Sequence, residues 1–368
     1  MRILTVGNMY PPHHLGGYEL LWEAAVEGLR AVGHDVRVLT TDYRDPGVTG
    51  EDGAARELRW YWQDRAFPER SARERRAIER HNRETFARHV DDLRPDVVSF
   101  WAMGGMSLSL LAQPAVPCAA WVIDAWPTYA PAADQALKAA PPFDGVDDWV
   151  FCSVALRTEL AARIPELARG VVELPGVAPT FSERPTRDWA GQVLYVGRID
   201  ERKGIATAVE ALAALEGMTL RVVGPGDVAD LRALAGSLGV SDRVEFVEAV
   251  PRDRLAEVYA TADVTLFPVT WFEPFGLVPL EAMAVGRPVV ATGTGGSGDY
   301  LRDGENALLH APGDAAALAA CVRRLAGDAA LRERLRDGGL VTASHLTEAR
   351  WLAAVVARHE ALVSSAAA

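Results

Sequence analysis

Two glutamates, Glu273 and Glu281, stand on either side of a rigid turn in the segment 271–283, which reads WFEPFGLVPLEAM. A proline at position 279 and the apolar residues around it predict a helix that begins close to Leu277. We therefore expect Glu281 in the first helical turn and Glu273 in the loop before it. An acid in a first turn also stabilises the helix dipole, so Glu281 alone does not indicate a ligand. The Glu-Pro-Phe-Gly turn, however, brings a second carboxylate and main-chain N–H groups to the same rim.

Two cations follow another buried strand. Arg198 comes directly after the apolar run QVLYVG, and Lys203 stands five residues later, before the next predicted helix. Only two of the 38 basic residues are lysines, Lys138 and Lys203. A compact ammonium on a flexible stem suits a clustered polyphosphate better than a planar guanidinium does. We expect these cations to hold a diphosphate, although surface charges flanking a turn, with Glu201 and Arg202 between them, explain the pattern as well.

A third candidate is the loop after the first predicted strand, where two prolines and two histidines precede Gly16-Gly17. A helix is predicted to begin near Tyr18. Glycine backbone that runs into a helix N-terminus presents N–H groups and the positive end of the helix dipole, which suits a phosphate. A tight turn without a ligand would use the same two glycines.

The composition limits the classes of partner. The 368 residues include 50 acids against 38 bases, for a formal charge of −12. Such a chain repels nucleic acid unless its basic groups are gathered locally, so we expect no nucleic-acid partner. The arginines of the segment 64–94 alternate with acids, which favours a solvated helix face and at most peripheral membrane contact. Three distant cysteines, Cys118, Cys152 and Cys321, have no metal-ligand spacing and predict buried, reduced thiols. The cytoplasm is the expected compartment.

Short apolar runs, most followed by helix-period stretches, recur along the chain, which is the pattern of parallel strands joined by crossover helices. The runs are Ile3–Val6, Val36–Leu39, Val97–Phe100, Ala119–Ile123, Val193–Val196, Leu220–Val223, Val244–Val247, Val264–Phe267 and Val289–Ala291. Between about 171 and 190 the pattern lapses into a segment rich in proline, glycine and charge, which predicts a domain boundary. We expect one α/β domain over 1–178, another over 179–350, and a C-terminal helix over 351–368 that packs back on the first domain.

Taken together, these motifs resemble the GT-B glycosyltransferases of family four, retaining enzymes that use nucleotide-sugar donors. The resemblance covers most of the chain, and its most specific element is Glu273–Glu281 with Glu-Ala-Met after it. It implies a GT-B fold, in which two Rossmann-like, doubly wound α/β domains face a central cleft. The first domain would bind the acceptor and the second the nucleotide sugar.

The resemblance also implies roles for residues at matching positions. Arg198 and Lys203 would hold the donor diphosphate, with the backbone of Gly16 and Gly17 closing on it. The carboxylate of Glu281 would accept both ribose hydroxyls. For the donor sugar, the implied contacts are the side chain of Glu273 and the main-chain N–H groups of Phe275, Gly276 and Leu277. The nucleobase would lie beside the loop at Phe246 to Val250.

The sequence departs from the family pattern in the first domain. Where the family often has His-Asp after the fourth amino-terminal strand, this chain has Ile123-Asp124. We expect Asp124, Trp126 or a first-loop histidine such as His14 to contact the sugar or the acceptor instead. Two further segments depart from the family pattern. The hinge is Pro175-Gly176-Val177-Ala178 where the family tends to have Pro-Asn-Gly-Val-Asp, and Ser297-Gly298-Asp299 stands where a glutamate often follows Gly-Gly.

The implied function is retaining transfer of a hexosyl unit from a nucleoside-diphosphate sugar, UDP or GDP, to a hydroxyl group of a small molecule or glycan. It needs no metal and no further cofactor. The alternatives are a catalytically altered binding protein and an epimerase or phosphorylase of the same fold. A nicotinamide-dependent oxidoreductase predicts Gly-x-Gly-x-x-Gly after the first strand, which Val-Gly-Asn-Met-Tyr at 6–10 does not supply.

Overall fold

A computed structural model of the chain describes residues 1–14, 16–46, 48–50, 53–63, 66–134 and 141–366. It divides the chain into two compact units. Unit 1 comprises Met1–Leu174 with Trp351–Ala368, and unit 2 comprises Pro175–Arg350. Lys138 lies outside the described residues.

Unit 1 is built on a seven-stranded, fully parallel sheet with the strand order β3-β2-β1-β4-β5-β6-β7. The strands are β1 (Arg2–Val6), β2 (Asp35–Thr41), β3 (Ala55–Leu58), β4 (Val97–Phe100), β5 (Cys118–Val122), β6 (Asp148–Phe151) and β7 (Val171–Val172). The helices are α1 (Gly17–Ala31), α2 (Ala72–Leu93), α3 (Trp126–Ala133) and α4 (Val154–Ala161). The strand order reverses between β1 and β4, and ligands of doubly wound sheets bind at the carboxyl ends of strands at such a switch point.

Unit 2 repeats the design with a six-stranded parallel sheet in the order β10-β9-β8-β11-β12-β13. Its strands are β8 (Gln192–Val196), β9 (Thr219–Val223), β10 (Val244–Val247), β11 (Val264–Phe267), β12 (Val289–Ala291) and β13 (Leu308–Leu309). Its helices are α5 (Ile205–Ala213), α6 (Ala229–Ser237), α7 (Leu255–Ala260), α8 (Leu277–Ala284), α9 (Ala315–Gly327) and α10 (Ala329–His345). The switch point lies between β8 and β11.

The last helix, α11, spans Glu348–Ala366. Within unit 1, its Trp351 packs edge-on against Trp101 and Trp121, with ring centroids 6.4 and 6.2 Å apart. Further along the helix, His359 stacks on Trp121 at 6.0 Å. The helix therefore completes the hydrophobic core of unit 1.

All nine apolar runs that the sequence singles out are strands, and the parallel α/β architecture is confirmed. The pattern missed β3, β6, β7 and β13, which are short or carry polar residues. The three cysteines are free and buried, as expected. None of the described helices has the length and apolarity that a membrane crossing requires.

Candidate functional site

The switch point of unit 2 brings three of the expected residues together. Arg198 follows β8 at its carboxyl end, Lys203 lies in the short 3₁₀ turn before α5, and Glu273 lies in the loop after β11. β8 and β11 are neighbours in the sheet, so both loops leave the same edge. This is the place where a doubly wound sheet collects its ligands.

Lys203 and Glu273 form an ion pair whose Nζ–Oε2 distance is 2.7 Å. Their side chains are only 17% and 13% exposed, so the pair is largely shielded from water. Trp271 Nε1 donates to the same carboxylate oxygen at 3.0 Å. Glu273 is thus fixed from two sides, while the Lys203 ammonium keeps two further N–H donors for a ligand.

The backbone around the pair is equally constrained. Gly204, directly after Lys203, has φ +68°, and a Cβ there would lie 1.9 Å from the Pro268 carbonyl oxygen. The Glu273 carbonyl accepts the N–H of Gly296 at 2.7 Å. A Cβ on the preceding residue, Gly295, would lie 2.3 Å from the same Glu273 oxygen, so both loops come close to backbone at a position that requires glycine.

Arg198 is exposed, and among the described residues its guanidinium forms no hydrogen bond or ion pair. Its own carbonyl accepts from the Tyr195 hydroxyl at 2.9 Å, which holds the backbone at the strand end. Nearby Arg202 is neutralised by Asp200, and their side-chain hydrogen bond lowers the pKa of Asp200 to about 2. Arg198, unlike Arg202, therefore remains available to an anion.

Glu281 occupies a different position from the one the sequence suggested. Helix α8 begins at Leu277, as expected, so Glu281 is its fifth residue and lies in the second turn, not the first. The carboxylate is buried, with Tyr259 donating to Oε2 at 2.8 Å and Arg252 Nη1 lying 3.2 Å from Oε1. Each oxygen keeps one lone pair for a further donor.

Sequence reasoning missed both Tyr259 and Arg252. Arg252 begins the short 3₁₀ turn after β10, two residues beyond the loop expected to lie beside a nucleobase. The signal for it was weak, because three of the four residues at 252–255 are charged and resemble a solvated turn. Burial raises the pKa of the Tyr259 hydroxyl well above its usual value, so the group stays protonated and can donate to Glu281.

The start of α8 presents the main-chain groups that the sequence predicted. Gly276 has φ +84°, and its carbonyl accepts from the Tyr300 hydroxyl. The first N–H groups of a helix have no partner inside the helix, so those of Leu277 and its neighbour are directed out of its N-terminus. The Phe275 side chain is buried against Tyr300, so only its main chain is suited to a ligand.

In unit 1, the glycine loop precedes α1 as expected, but one of its donors is already used. Glu19 Oε2 accepts the Gly16 N–H at 3.0 Å, which is the glutamate half of a capping box, and Glu19 is buried. Gly17 is the first residue of α1. The hydrogen bond between Glu19 and Gly16 could have been predicted from the sequence, because a glutamate three residues after the N-cap is typical of a capping box.

The remaining unit 1 candidates differ from one another in exposure. Asp124 lies after β5, where Trp126 N donates to Oδ1 at 3.1 Å and the Tyr129 hydroxyl to Oδ2 at 2.8 Å. Desolvation raises the pKa of the Asp124 carboxyl. Tyr129 is 40% exposed, whereas Trp126 is fully buried against Phe143 and Trp149. The Trp126 side chain is therefore core, which corrects the expectation that it contacts an acceptor.

His14 is partly buried, with Nδ1 3.1 Å from the Pro12 carbonyl. Among the described residues, no group of three or more His, Cys, Asp or Glu side chains is arranged to hold a metal ion.

Comparison with known proteins finds a family match for most of unit 2 and partial matches to curated relatives. Residues 182–340 match the family described as glycosyl transferases group 1. The chain is 37% identical over 178 residues to the lipopolysaccharide core biosynthesis glycosyltransferase LpsE of Rhizobium meliloti, covering 48% of each chain. It is 42% identical over 165 residues to the D-inositol 3-phosphate glycosyltransferase of Acidothermus cellulolyticus, covering 41% of this chain and 36% of that one. The matched region is half or less of the length of these curated relatives.

Solved structures extend the likeness to the whole chain at the level of the fold. The sucrose-phosphate synthase of Thermosynechococcus elongatus superposes with a TM-score of 0.78 at 23% identity over 99% of both chains. Anabaena HepE in complex with UDP-glucose superposes with a TM-score of 0.71 at 18% identity, over 99% of this chain and 100% of that one. Residues 182–340 are therefore a glycosyl transferases group 1 domain, and the chain has the fold of the GT-B glycosyltransferases.

Proposed function

We propose that the protein transfers a hexosyl unit from a nucleoside-diphosphate sugar, with UDP or GDP as the nucleotide, to a hydroxyl group of a small molecule or glycan. The observation that carries the proposal is the grouping of Arg198, Lys203 and Glu273 at the switch point of unit 2. That HepE binds UDP-glucose on the same fold supports it. The buried free cysteines support a reducing compartment, the cytoplasm, as the place of reaction.

The charges of the site fit the chemistry. When the bond between sugar and phosphate breaks, negative charge accumulates on the departing diphosphate. The available Arg198 guanidinium, the free N–H donors of Lys203 and the N-terminus of α8 stabilise that charge. Because these groups supply the positive charge, we propose that the reaction needs no metal.

The two glutamates would hold the neutral parts of the donor. Glu273, fixed by Lys203 and Trp271, accepts sugar hydroxyls, and Glu281, fixed by Tyr259 and Arg252, accepts ribose hydroxyls through its remaining lone pairs. We propose retention of the anomeric configuration, with the acceptor hydroxyl attacking from the face that the phosphate leaves and the leaving phosphate oxygen taking its proton.

A panel of UDP, GDP, ADP and dTDP sugars, screened by thermal shift, identifies the donor. Donor turnover is then measured in Lys203→Ala and Glu281→Ala, each of which should lose about 10²-fold or more, because charged partners in such sites contribute about 3 kcal/mol. Arg221→Ala is the matched control, since Arg221 forms an exposed ion pair with Glu245 on the neighbouring strands. Near-native turnover in both site variants would remove these assignments.

The finer parts of the proposal have their own readouts. Proton NMR of the product gives the anomeric configuration, and inversion would contradict retention. Undiminished turnover after dialysis against a chelator is expected, and loss restored by a divalent ion would overturn metal independence. Donor binding without transfer or donor hydrolysis, over a broad set of sugar and small-molecule acceptors, would point to a binding protein on this fold.

A further inference from the structure

Unit 2 has a pocket of about 260 Å³ at the edge of its sheet opposite to Arg198 and Lys203. Its walls are the segments just before β8, β11 and β12, together with the first turns of α10. The residues that matter are Arg187, Trp189, Asp263, Arg287, Arg332 and Arg336. Four guanidinium groups thus line one small concave site.

Two of the four arginines are neutralised by acids. Arg187 Nε lies 3.2 Å from Asp263 Oδ1, and Arg336 pairs with Glu183. The other oxygen of Asp263 accepts the N–H groups of Ala190 and Gln192, whereas Oδ1, beside its ion pair with Arg187, makes no hydrogen bond within the described chain. These pairs form the frame of the pocket.

The other two arginines have only neutral partners among the described residues. Arg287 Nη2 donates to the carbonyls of Pro185 and Ala260 at 2.9 and 3.0 Å. Arg332 Nη1 donates to backbone carbonyls at the end of α9, including that of Ala326 at 3.2 Å. The other carboxylate on the pocket wall, Glu333, is exposed and forms no ion pair with either. Within the described part of the chain, neither of these two guanidinium groups is in an ion pair with an acid.

Arg287 is the strongest indication that the pocket suits an anion. The residue is 5% exposed, and its Nε is buried without a hydrogen-bond partner in the described chain. Burial, followed by repulsion from Arg187 and Arg336, lowers the pKa of its guanidinium, and the attraction of Asp263 offsets only part of this effect. A buried guanidinium that lies beside like charges and has an N–H without a partner is costly, and a bound anion would lower that cost.

We propose that this pocket binds a small phosphomonoester. Phosphate oxygens match the planar donors of guanidinium groups, which hold them in bidentate fashion. The Trp189 side chain, with the Arg332 guanidinium 5.4 Å from its ring centroid, supplies a flat apolar wall for a compact organic part. The pocket volume accommodates a ligand with a few carbon atoms.

Isothermal titration with glycerol 3-phosphate at low ionic strength tests the proposal, with glycerol and inorganic phosphate as parallel probes. Glycerol should not bind, and phosphate should bind more weakly than its ester. Arg332→Gln should weaken binding about tenfold or more, as expected for a lost charged hydrogen bond, and Arg332→Lys should recover part of it. Lys203→Ala should bind normally, because Lys203 lies at the other edge of the sheet.

If the wild-type protein shows no heat of binding, the proposed site is wrong. It is also wrong if Lys203→Ala abolishes binding while Arg332→Gln leaves it intact. Equal affinity for phosphate and its ester would show a site for inorganic anions alone. Hydrogen exchange locates the site in the wild-type protein without using any variant. The ester should slow exchange in the segments 185–189 and 329–336. The proposal depends on unit 2 alone and stands or falls separately from sugar transfer.

Discussion

Lys203 Nζ lies 2.7 Å from Glu273 Oε2, although the two residues are 70 positions apart and follow different strands of the sheet. The proposed contacts to phosphate and to sugar are therefore not independent, because each side chain holds the other in place. Removing one partner leaves a largely buried charge without its counter-charge.

Coupling between these residues is the first prediction. Lys203→Met and Glu273→Gln should each lower the free energy of unfolding by about 1 to 3 kcal/mol, since each strands one charge. The double variant should be less destabilised than the sum of the two. Urea denaturation of all four proteins gives the coupling energy, which should be about 1 kcal/mol or more for residues in contact. Strict additivity would mean that the pair contributes nothing to stability.

Gly204 provides a test of the backbone that positions Lys203. Gly204→Ala should destabilise unit 2 strongly, because the new Cβ would lie 1.9 Å from a backbone carbonyl at φ +68°. Gly217→Ala is the matched control, since Gly217 also has φ +68°, but no atom of the described chain lies within 4 Å of the place that its Cβ would take. The control should be destabilised only by the cost of placing alanine in a left-handed backbone conformation, about 1 kcal/mol. Equal unfolding midpoints for the two variants would contradict the close approach.

Much of this site was readable from the sequence because its signals are local. Pro279 and the apolar residues around it located the start of α8, and buried apolar runs located β8 and β11. Since parallel strands end at one edge of a sheet, the loops after those two strands were the places to look for ligand-binding residues. Arg198, Lys203 and Glu273 were candidates in these loops, and the family resemblance supplied their expected roles.

The partners of Glu281 were not readable because their contact is long-range. Tyr259 lies on α7 and Arg252 in the turn before it, and nothing local marks either as a partner of a carboxylate about 20 to 30 positions on. Trp126, by contrast, was wrongly expected to contact a ligand. An aromatic residue after a strand suits either a ligand or a core, and only the packing of Phe143 and Trp149 around it decides.

Tyr259 should act as a positioning residue for Glu281. Tyr259→Phe removes the hydrogen bond to Oε2 and should raise the donor KM about tenfold with a smaller change in kcat, because a ribose contact contributes to binding in the ground state. Tyr61→Phe is the control, since Tyr61 is a buried tyrosine of unit 1 that donates to Glu79 at 3.0 Å. It should lose stability without changing the donor KM. A kcat effect alone in Tyr259→Phe would speak against this role.

Glu19 should matter through the Gly16 N–H that it accepts. Glu19→Ala frees the glycine loop and should raise the donor KM several-fold, in keeping with about 1 kcal/mol for a capping interaction. Glu19→Gln keeps an acceptor oxygen and should stay close to wild type. If both variants raise the donor KM equally, the loop requires the carboxylate charge and not the hydrogen-bond acceptor.

His359 makes the stability of unit 1 depend on pH. It is fully buried on Trp121, and desolvation lowers the pKa of its imidazole to about 4. Below about pH 6.5 His359 binds a proton in the unfolded chain but stays neutral in the folded one. The contribution of neutral His359 is therefore complete above that pH and is lost as the pH falls from about 6.5 to about 4, by about 3 kcal/mol in all.

Urea denaturation at pH 7.5 and pH 4.5 should show this loss in the wild type and a smaller one in His359→Phe, which keeps a ring on Trp121 but cannot titrate. His345→Phe is a close control, because both histidines place Nδ1 near the carbonyl four residues earlier, at 2.7 Å for His345 and 2.8 Å for His359, yet His345 is exposed. The control should keep the wild-type pH dependence. An unchanged dependence in His359→Phe would assign the acid sensitivity to other groups, such as the buried His310, whose pKa desolvation also lowers.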